Sequence, residues 1–376
     1  MSKIIPIILI LYLLFVTSNQ TTIFIAGDST VKTYEDTTFL GGWGQYLSYY
    51  LKDNIEVINT AQGGRSSRSF INEARLYNIE GDNYKFSENG GKSIEDTIKA
   101  GDFLFIQFGH NDDASNMPKS YSIMVDRLVP LGKADGNGKY PTSEGVRTST
   151  SVLPEEFVSL STNDERVSAL KTISSYGDKY YSYDCGGTYK WYLKQYIDFA
   201  RSKNAIPVLV TPVSRVTFSG NNISCKVGGF GTNCDYIQAV RQLAQEEDCL
   251  LVDLHAMTVK LLDTVTKSYS DYLMALKPSS ISGTWPSDYD RIIVDKTDGY
   301  TGIEGTHYNK YGAYIIAGFV AESILKEKDE VHNGKEYFNF ADSVLTESKE
   351  YVLPSTKLPT SVIKKILGLF SYVKPL

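Results

Sequence analysis

The sequence predicts an α/β fold, a three-layer α/β/α sandwich around a central parallel sheet of five strands. Three observations predict it. The composition is globular: 376 residues, 42% hydrophobic and 22% charged, enough for one large α/β domain. Five short apolar runs recur along the chain, and segments with apolar residues at helical spacing lie between them. Strands and helices that alternate in this way build parallel sheets covered on both faces.

The elements follow in chain order. Met1-Ser2-Lys3 carries one basic residue, Ile4 to Val16 is apolar, and Thr17 to Gln20 is small and polar. This order reads as a secretory signal peptide over residues 1–20, because the apolar run is short for a bilayer span and a folded domain starts directly afterwards. An uncleaved anchor is the alternative. Ile23 to Ala26 reads as the first strand and Trp43 to Leu51 as a helix. Glu56 to Asn59 is the second strand, and Ser93 caps a short helix reaching Ala100. Phe103 to Phe108 is the third strand. Thr188 to Lys203 places Trp191, Tyr192, Tyr196 and Phe199 at helical spacing, and Pro207 to Val210 follows as the fourth strand. Asp235 to Glu247 is a helix, Leu250 to Val252 the fifth strand, and Asn309 to Lys326 the last helix.

Between about residues 113 and 187 the alternation fails. Gly132 to Gly138 is turn material, Pro141 and Pro154 follow, and polar residues are scattered, so this segment reads as an insertion of the kind that forms lids or binding loops. The domain then covers 21–330 and a C-terminal extension 331–376. Val362 to Val373 is amphipathic and reads as packing on the domain.

Charge excludes one class of partner. The net charge is -6, and no basic stripe or Lys/Arg run suits a phosphate backbone, so nucleic acid is not expected. Four cysteines lie beyond the leader. Cys225 and Cys234 flank a Gly-rich loop that would let them pair, which leaves Cys185 and Cys249. An even count in a secreted chain favours disulfides. Zinc is the competitor, disfavoured because the chain lacks two closely spaced Cys/His pairs.

Four loops carry chemistry. In Ala26-Gly27-Asp28-Ser29-Thr30 a hydroxyl stands just beyond the first strand, at the edge where open α/β sheets place their sites. Gly-Asp-Ser is also ordinary turn chemistry. After the second strand comes Gln62-Gly63-Gly64-Arg65-Ser66-Ser67-Arg68-Ser69. A glycine N–H there can serve as a preset oxyanion donor, or the glycines can merely satisfy a turn. Phe108-Gly109-His110-Asn111-Asp112 ends the third strand. Asn111 offers a side-chain N–H, while His110 on the same strand end reads as structural. Attack by serine needs a base that is neutral near pH 7, usually histidine. Of the four histidines, His255 follows the fifth strand and reads as a packing residue, and His332 lies in a charged stretch. His307 lies in Glu304-Gly305-Thr306-His307, where an acid three residues earlier can orient the ring.

Taken together, these blocks resemble those of the SGNH/GDSL hydrolases, and among them the rhamnogalacturonan acetylesterases. The matching stretches are Ala26 to Thr30, Gly42-Trp43-Gly44, Gly64 to Ser69, Phe108 to Asp112, Thr211 to Arg215 and Glu304 to His307. They fall within residues 22–112 and 186–327. The resemblance implies a flavodoxin-like strand topology, Ser29 as nucleophile and His307 as base. It implies an oxyanion hole of the Ser29 N–H, the Gly64 N–H and Asn111, and no metal or organic cofactor. Trp43, Arg65 and Arg68 become expected substrate contacts, with loop support the alternative role for the arginines. The family has Asp where this chain has Glu304, so the longer carboxylate must be set back to reach the ring; Asp298, in the same loop, is the other candidate for the third member. The expected activity is removal of acetyl groups from a plant cell-wall polysaccharide, rhamnogalacturonan first, outside the cell and without stable membrane insertion. The alternatives are a general esterase or lipase and a non-catalytic carbohydrate-binding relative. The 27 tyrosines and three tryptophans suit sugar stacking and an ordinary core equally. Asn222-Ile223-Ser224 is a glycosylation acceptor if the chain is eukaryotic and secreted.

Overall fold

Five parallel strands form one sheet: β1 (Thr21–Gly27), β2 (Ile55–Asn59), β3 (Phe103–Gln107), β4 (Ile206–Val210) and, after a small hairpin of β5 (Phe218–Ser219) and β6 (Asn222–Ile223), β7 (Leu250–Val252). Their spatial order is β2-β1-β3-β4-β7, the flavodoxin-like arrangement. The computed structural model describes residues 21–78, 92–112, 129, 131–132, 134–143, 187–225, 234–276, 302–327, 341–345, 349 and 358–373. The segment read as a signal peptide, most of the expected insertion, and Cys185, Asp298 and His332 lie outside them.

Successive strand residues point to opposite faces, so each strand feeds two cores. Ile23, Ile25, Phe103, Phe105, Val208 and Val210 face one core, and Phe24, Ala26, Leu104, Ile106 and Leu209 face the other. The second face is covered by α1 (Ser67–Asn72), α2 (Tyr189–Ser202) and α3 (Asp235–Glu246). The first is covered by α4 (Leu254–Tyr269), α5 (Lys310–Glu327) and α6 (Thr360–Leu367). This is the expected three-layer sandwich. Helix α2 begins where its cap dictates: the Thr188 hydroxyl accepts the Trp191 N–H, and four of its aromatic residues are fully or nearly fully buried.

Helix α5 is apolar around its whole circumference and buried from Lys310 to Ile324, because the segments Trp43–Gln45 and Leu47–Tyr50, helix α4 and the chain after α6, whose Phe370 stacks on Phe319, cover the sides that the sheet leaves. Val362 and Ile366 of α6 enter that core. The chain beyond is tethered by the buried Glu322 carboxylate, which accepts the N–H groups of Ser371, Tyr372 and Val373 at 2.7, 2.9 and 3.0 Å. Within the expected insertion, residues 134–143 dock on α3: Tyr140 donates its hydroxyl to Asp235 and its N–H to Gln242.

Three expectations need correction. Trp43 to Leu51 is not an α-helix but two 3-10 turns, Trp43–Gln45 and Leu47–Tyr50. The segment is pressed onto the turn after β1, where a Cβ on Gly42 would stand 2.2 Å from the Lys32 carbonyl oxygen. The expected helix after Ser93 is one 3-10 turn, Ile94–Asp96, closed by the Asp96 carboxylate accepting the Ser93 N–H. The segment before the last helix is not a loop but β9 (Ile303–Tyr308), which pairs antiparallel with β8 (Met274–Leu276).

Candidate active site

Strand β1 lies between β2 and β3, and the three loops leaving their carboxyl ends converge. Strand order reverses here, the point where open α/β sheets hold ligands. Directly after β1 the chain turns tightly: the N–H groups of Val31 and Lys32 both return to the Asp28 carbonyl. A Cβ on Gly27 would lie 2.9 Å from the Val31 side chain, so glycine is what allows the turn to close. Ser29 sits on this turn.

The buried Asp28 fixes the turn from beneath. Its carboxylate accepts the Thr30 N–H and hydroxyl at 2.8 and 2.7 Å and lies 3.3 Å from His110 Nδ1. Burial opposes its ionisation, but the His110 and Thr30 contacts outweigh it and hold the carboxyl below its usual range. Burial lowers the His110 pKa, so a neutral ring donates Nδ1–H to an ionised Asp28. His110 therefore ties the β1 turn to the end of β3, a structural role.

His307 arrives on a bulge. Met274 faces Tyr308 and Leu276 faces Ile303, so β9 carries more residues than β8 over the same span. The residues in excess, which include Glu304 and His307, fall between those two pairs, and bulges of this kind re-aim side chains. His307 Nε2 stands 2.6 Å from Ser29 Oγ, and Nδ1 stands 2.9 Å from Glu304 Oε2. The carboxylate oxygen requires a proton on Nδ1, which leaves the Nε2 lone pair to accept the serine O–H.

Glu304 accommodates its extra methylene by folding back over its own loop. Oε2 also accepts the N–H groups of Thr306 and His307, at 3.1 and 2.7 Å. Gly305 stands at φ +90°, a left-handed conformation that closes this reversal. Burial opposes the charge on Glu304, but His307 and the two backbone donors pull its pKa down to about 2. From behind, the Val216 N–H holds the Gly305 carbonyl at 2.8 Å.

The glycine loop forms the opposite wall. A Cβ on Gly63 would lie 3.8 Å from Ser29 Cβ, and Gly64 stands at φ +76°. Asn111 Nδ2 donates one hydrogen to the Arg65 carbonyl at 3.0 Å, which locks the amide beside Gly64 and leaves its second hydrogen for another acceptor. Among the described residues, neither the Ser29 N–H nor the Gly64 N–H has a partner. Ser66 and Ser69 cap α1 reciprocally, and Asp112 accepts both the N–H and the hydroxyl of Ser67. Burial drives the Asp112 pKa up to about 8.

Of the three expected substrate contacts, two are buried, and Arg65 takes the alternative role of loop support. Trp43 is 0% exposed and donates its indole N–H to Gln107 at 2.7 Å, so it is a core residue and not a sugar platform. Arg68 is 3% exposed within α1 and likewise faces no solvent. Arg65 staples its loop: its guanidinium clasps Glu73 and donates to the Gly63 carbonyl. Tyr34 was not expected at the site, yet its hydroxyl donates to the Ser29 carbonyl at 2.8 Å. Burial, with Asp28 and Glu304 nearby, pushes its phenol well above the usual range. Nothing in the sequence around Tyr34 marks it, since its role depends on where the turn after β1 folds back.

The arrangement offers a hydroxyl sharing its proton with an imidazole, an ionised acid behind that ring, and N–H donors beside it. The chain is similar to several known proteins. A family model described as GDSL-like lipase/acylhydrolase matches residues 23–319. The chain is 34% identical over 233 residues to YesY of Bacillus subtilis, a protein described as a probable rhamnogalacturonan acetylesterase, covering 62% of this chain and 69% of that one. It is 26% identical over 324 residues to the rhamnogalacturonan acetylesterase RhgT of the same organism, covering 84% and 97%. Among solved structures, YxiM of Bacillus subtilis superposes with a TM-score of 0.46 at 19% identity, over 83% of this chain and 58% of that one, a likeness too loose to bear on function.

Proposed function

Because the chain belongs to the GDSL-like lipase/acylhydrolase family, we propose that it is an extracellular carbohydrate esterase that removes acetyl groups from rhamnogalacturonan. The observation that carries this reading is the relay Ser29–His307–Glu304, with contacts of 2.6 and 2.9 Å, set beside the Gly64 turn and Asn111. The polymer is suggested by the names of YesY and RhgT. Export is supported by the apolar Ile4 to Val16 segment, and the Cys225–Cys234 disulfide suits an oxidising compartment.

In the proposed cycle His307 Nε2 takes the Ser29 proton as Oγ attacks the acetyl carbonyl. The tetrahedral oxyanion accepts hydrogen bonds from the Ser29 N–H, the Gly64 N–H and the second Asn111 amide hydrogen. The imidazolium is stabilised by ionised Glu304 and returns the proton to the departing sugar oxygen, leaving acetyl-Ser29. Water, deprotonated by His307, attacks the acyl carbon; acetate leaves and Ser29 regains its proton. Arg65 supports the oxyanion loop through Glu73, and every donor is fixed before charge develops.

The test is acetate release from acetylated pectin, xylan and chitin fractions, with Ser29→Ala as control. The reading expects pectin to be the preferred substrate and the variant to be inactive. Preference for long-chain p-nitrophenyl esters over acetate would make the protein a general esterase. Polysaccharide binding without release would make it a binding relative.

A further inference from the structure

Beside the strap of residues 211–216 that follows β4, three ligand atoms meet. Cys225 closes the β5–β6 hairpin, Cys234 stands at the start of α3, and His255 is the second residue of α4. Cys225 and Cys234 are disulfide-bonded, with Cα atoms 5.3 Å apart. His255 Nε2 lies 3.5 Å from one sulfur and 3.6 Å from the other, and all three atoms fall within 4.8 Å of one another. Cys225 and Cys234 stand nine residues apart, and His255 lies 21 residues further on, so spacing along the chain gave no sign of the cluster.

The histidine is set as a ligand would be. Its Nδ1 stands 3.2 Å from the Pro212 carbonyl, an acceptor only, so Nδ1 carries the ring proton and the Nε2 lone pair faces the sulfurs. Metal-binding histidines are oriented by this kind of donation from the opposite nitrogen to a backbone carbonyl. The Thr211 hydroxyl holds the His255 N–H at 2.8 Å, which fixes the ring's backbone. With zinc–sulfur and zinc–nitrogen bonds of about 2.3 and 2.0–2.1 Å, the sulfur–nitrogen edge of a tetrahedral site is about 3.5 Å. Both sulfurs of the closed disulfide already lie at about that distance from Nε2, before they part.

We propose that, when the Cys225–Cys234 bond is reduced, Cys225, Cys234 and His255 form a three-ligand site for a thiophilic divalent cation, Zn²⁺ in the first instance, with water completing the shell. A dithiol reductant supplies two electrons and two protons, converts the disulfide to two thiols and becomes a disulfide itself. Each thiol then loses its proton to solvent as its sulfur binds the cation. The sulfurs must separate from a bond of about 2 Å to a tetrahedral edge of about 3.8 Å, a change that side-chain rotation at this Cα spacing can supply. The oxidised chain has no thiolates here and binds nothing at this place, so the site is gated by redox state. Its proximity to the strap is direct: Thr211 and Pro212 hold His255, and Val216, four residues on, holds the Gly305 carbonyl in the bulge that carries His307.

The experiment uses the full chain, stripped of metal and reduced with a phosphine, which becomes its oxide by taking oxygen from water. Zinc is added in slight excess, free metal is removed, and retained zinc is measured. One zinc per chain is expected after reduction and none in the oxidised protein, with His255→Ala or Cys225→Ser weakening retention by at least about 10-fold. Should those variants fail to fold, protection of the wild-type cysteines decides: zinc should block alkylation of Cys225 and Cys234, mapped by peptide mass, and leave the slow reaction of Cys249 unchanged. Burial raises the Cys249 thiol to about 12, which makes it an internal control. No stoichiometric zinc after reduction, undiminished retention in folded variants, or unprotected cysteines would each overturn the proposal.

Discussion

Replacing Glu304 with glutamine removes one charge from the relay and little else. The two backbone N–H groups on Oε2, from Thr306 and His307, demand an acceptor, so the glutamine oxygen takes that position and still accepts Nδ1–H. The tautomer is preserved, and what is lost is attraction between carboxylate and developing imidazolium. Two unit charges about 4 Å apart interact by about 4 kcal/mol at an effective dielectric constant of about 20. The two side chains are 23% and 26% exposed, so solvent screens part of this, and about 2–4 kcal/mol is the expected loss in the transition state. That corresponds to a fall in kcat of about 30- to 1000-fold, at about 1.4 kcal/mol per decade, with little change in KM. If the amide instead turned its nitrogen to the ring, the wrong tautomer would form and the loss would approach about 10⁴-fold. The assay is initial-rate acetate release over a range of polymer concentrations, with Asp298→Asn measured alongside. Wild-type kcat in the Glu304→Gln variant, or a larger loss in Asp298→Asn, would take the orienting role from Glu304 and give it to Asp298.

Asn111→Ala should lower turnover by about 100- to 1000-fold with a smaller effect on affinity, because its free hydrogen acts on the oxyanion; steady-state kinetics that show a selective rise in KM would contradict this. Trp43→Phe should leave KM unchanged and cost about 1–3 kcal/mol of stability, measured by denaturant unfolding, because Gln107 would be left buried without its donor. Asp112→Asn tests a titration. A carboxyl raised to about 8 from 3.8 imposes no ionisation cost below pH 3.8, a growing one between 3.8 and 8, and its full cost above. The wild type should therefore lose thermal stability relative to the variant as pH rises from 5 to 9, and a constant difference would exclude the mechanism. Glu304 works in the opposite sense. Depressed to about 2 from 4.5, it stabilises the fold above pH 4.5, and this contribution is lost as pH falls towards 2. Acid unfolding monitored by circular dichroism should then begin earlier in wild type, relative to its neutral stability, than in Glu304→Gln.

Much of the architecture was readable because the sheet is buried on both faces, which makes Ile23 to Ala26 or Phe103 to Phe108 nearly continuous apolar runs. Helix α2 was bounded to within a residue because Thr188 is a side-chain cap. The α4 helix went unread although Asp253 caps it and Leu254, Leu261, Leu262 and Val265 share a face; it starts directly after a three-residue strand, with no loop to mark the boundary. The 3-10 turns at Trp43 to Tyr50 depend on how closely Gly42 approaches the β1 turn, a contact no periodicity encodes. Within the site, Ser29, Gly64, Asn111 and His307 stand in recognisable loops, and spacing alone put Glu304 near the ring. How Glu304 reaches it rests on Gly305 at φ +90° and on a β-bulge, both of which are tertiary facts. The mistaken use of Trp43 has the same origin. Its neighbours in sequence match a motif, but its indole is satisfied by Gln107, 64 residues away.

A serine-directed phosphonate reports whether the Ser29 hydroxyl is made nucleophilic by its ring partner, without any choice of polymer. Peptide mass mapping should find one adduct, on Ser29, formed rapidly in the wild type and essentially absent from His307→Ala. An adduct on another residue, or labelling of Ser29 at the same rate without the imidazole, would contradict the account.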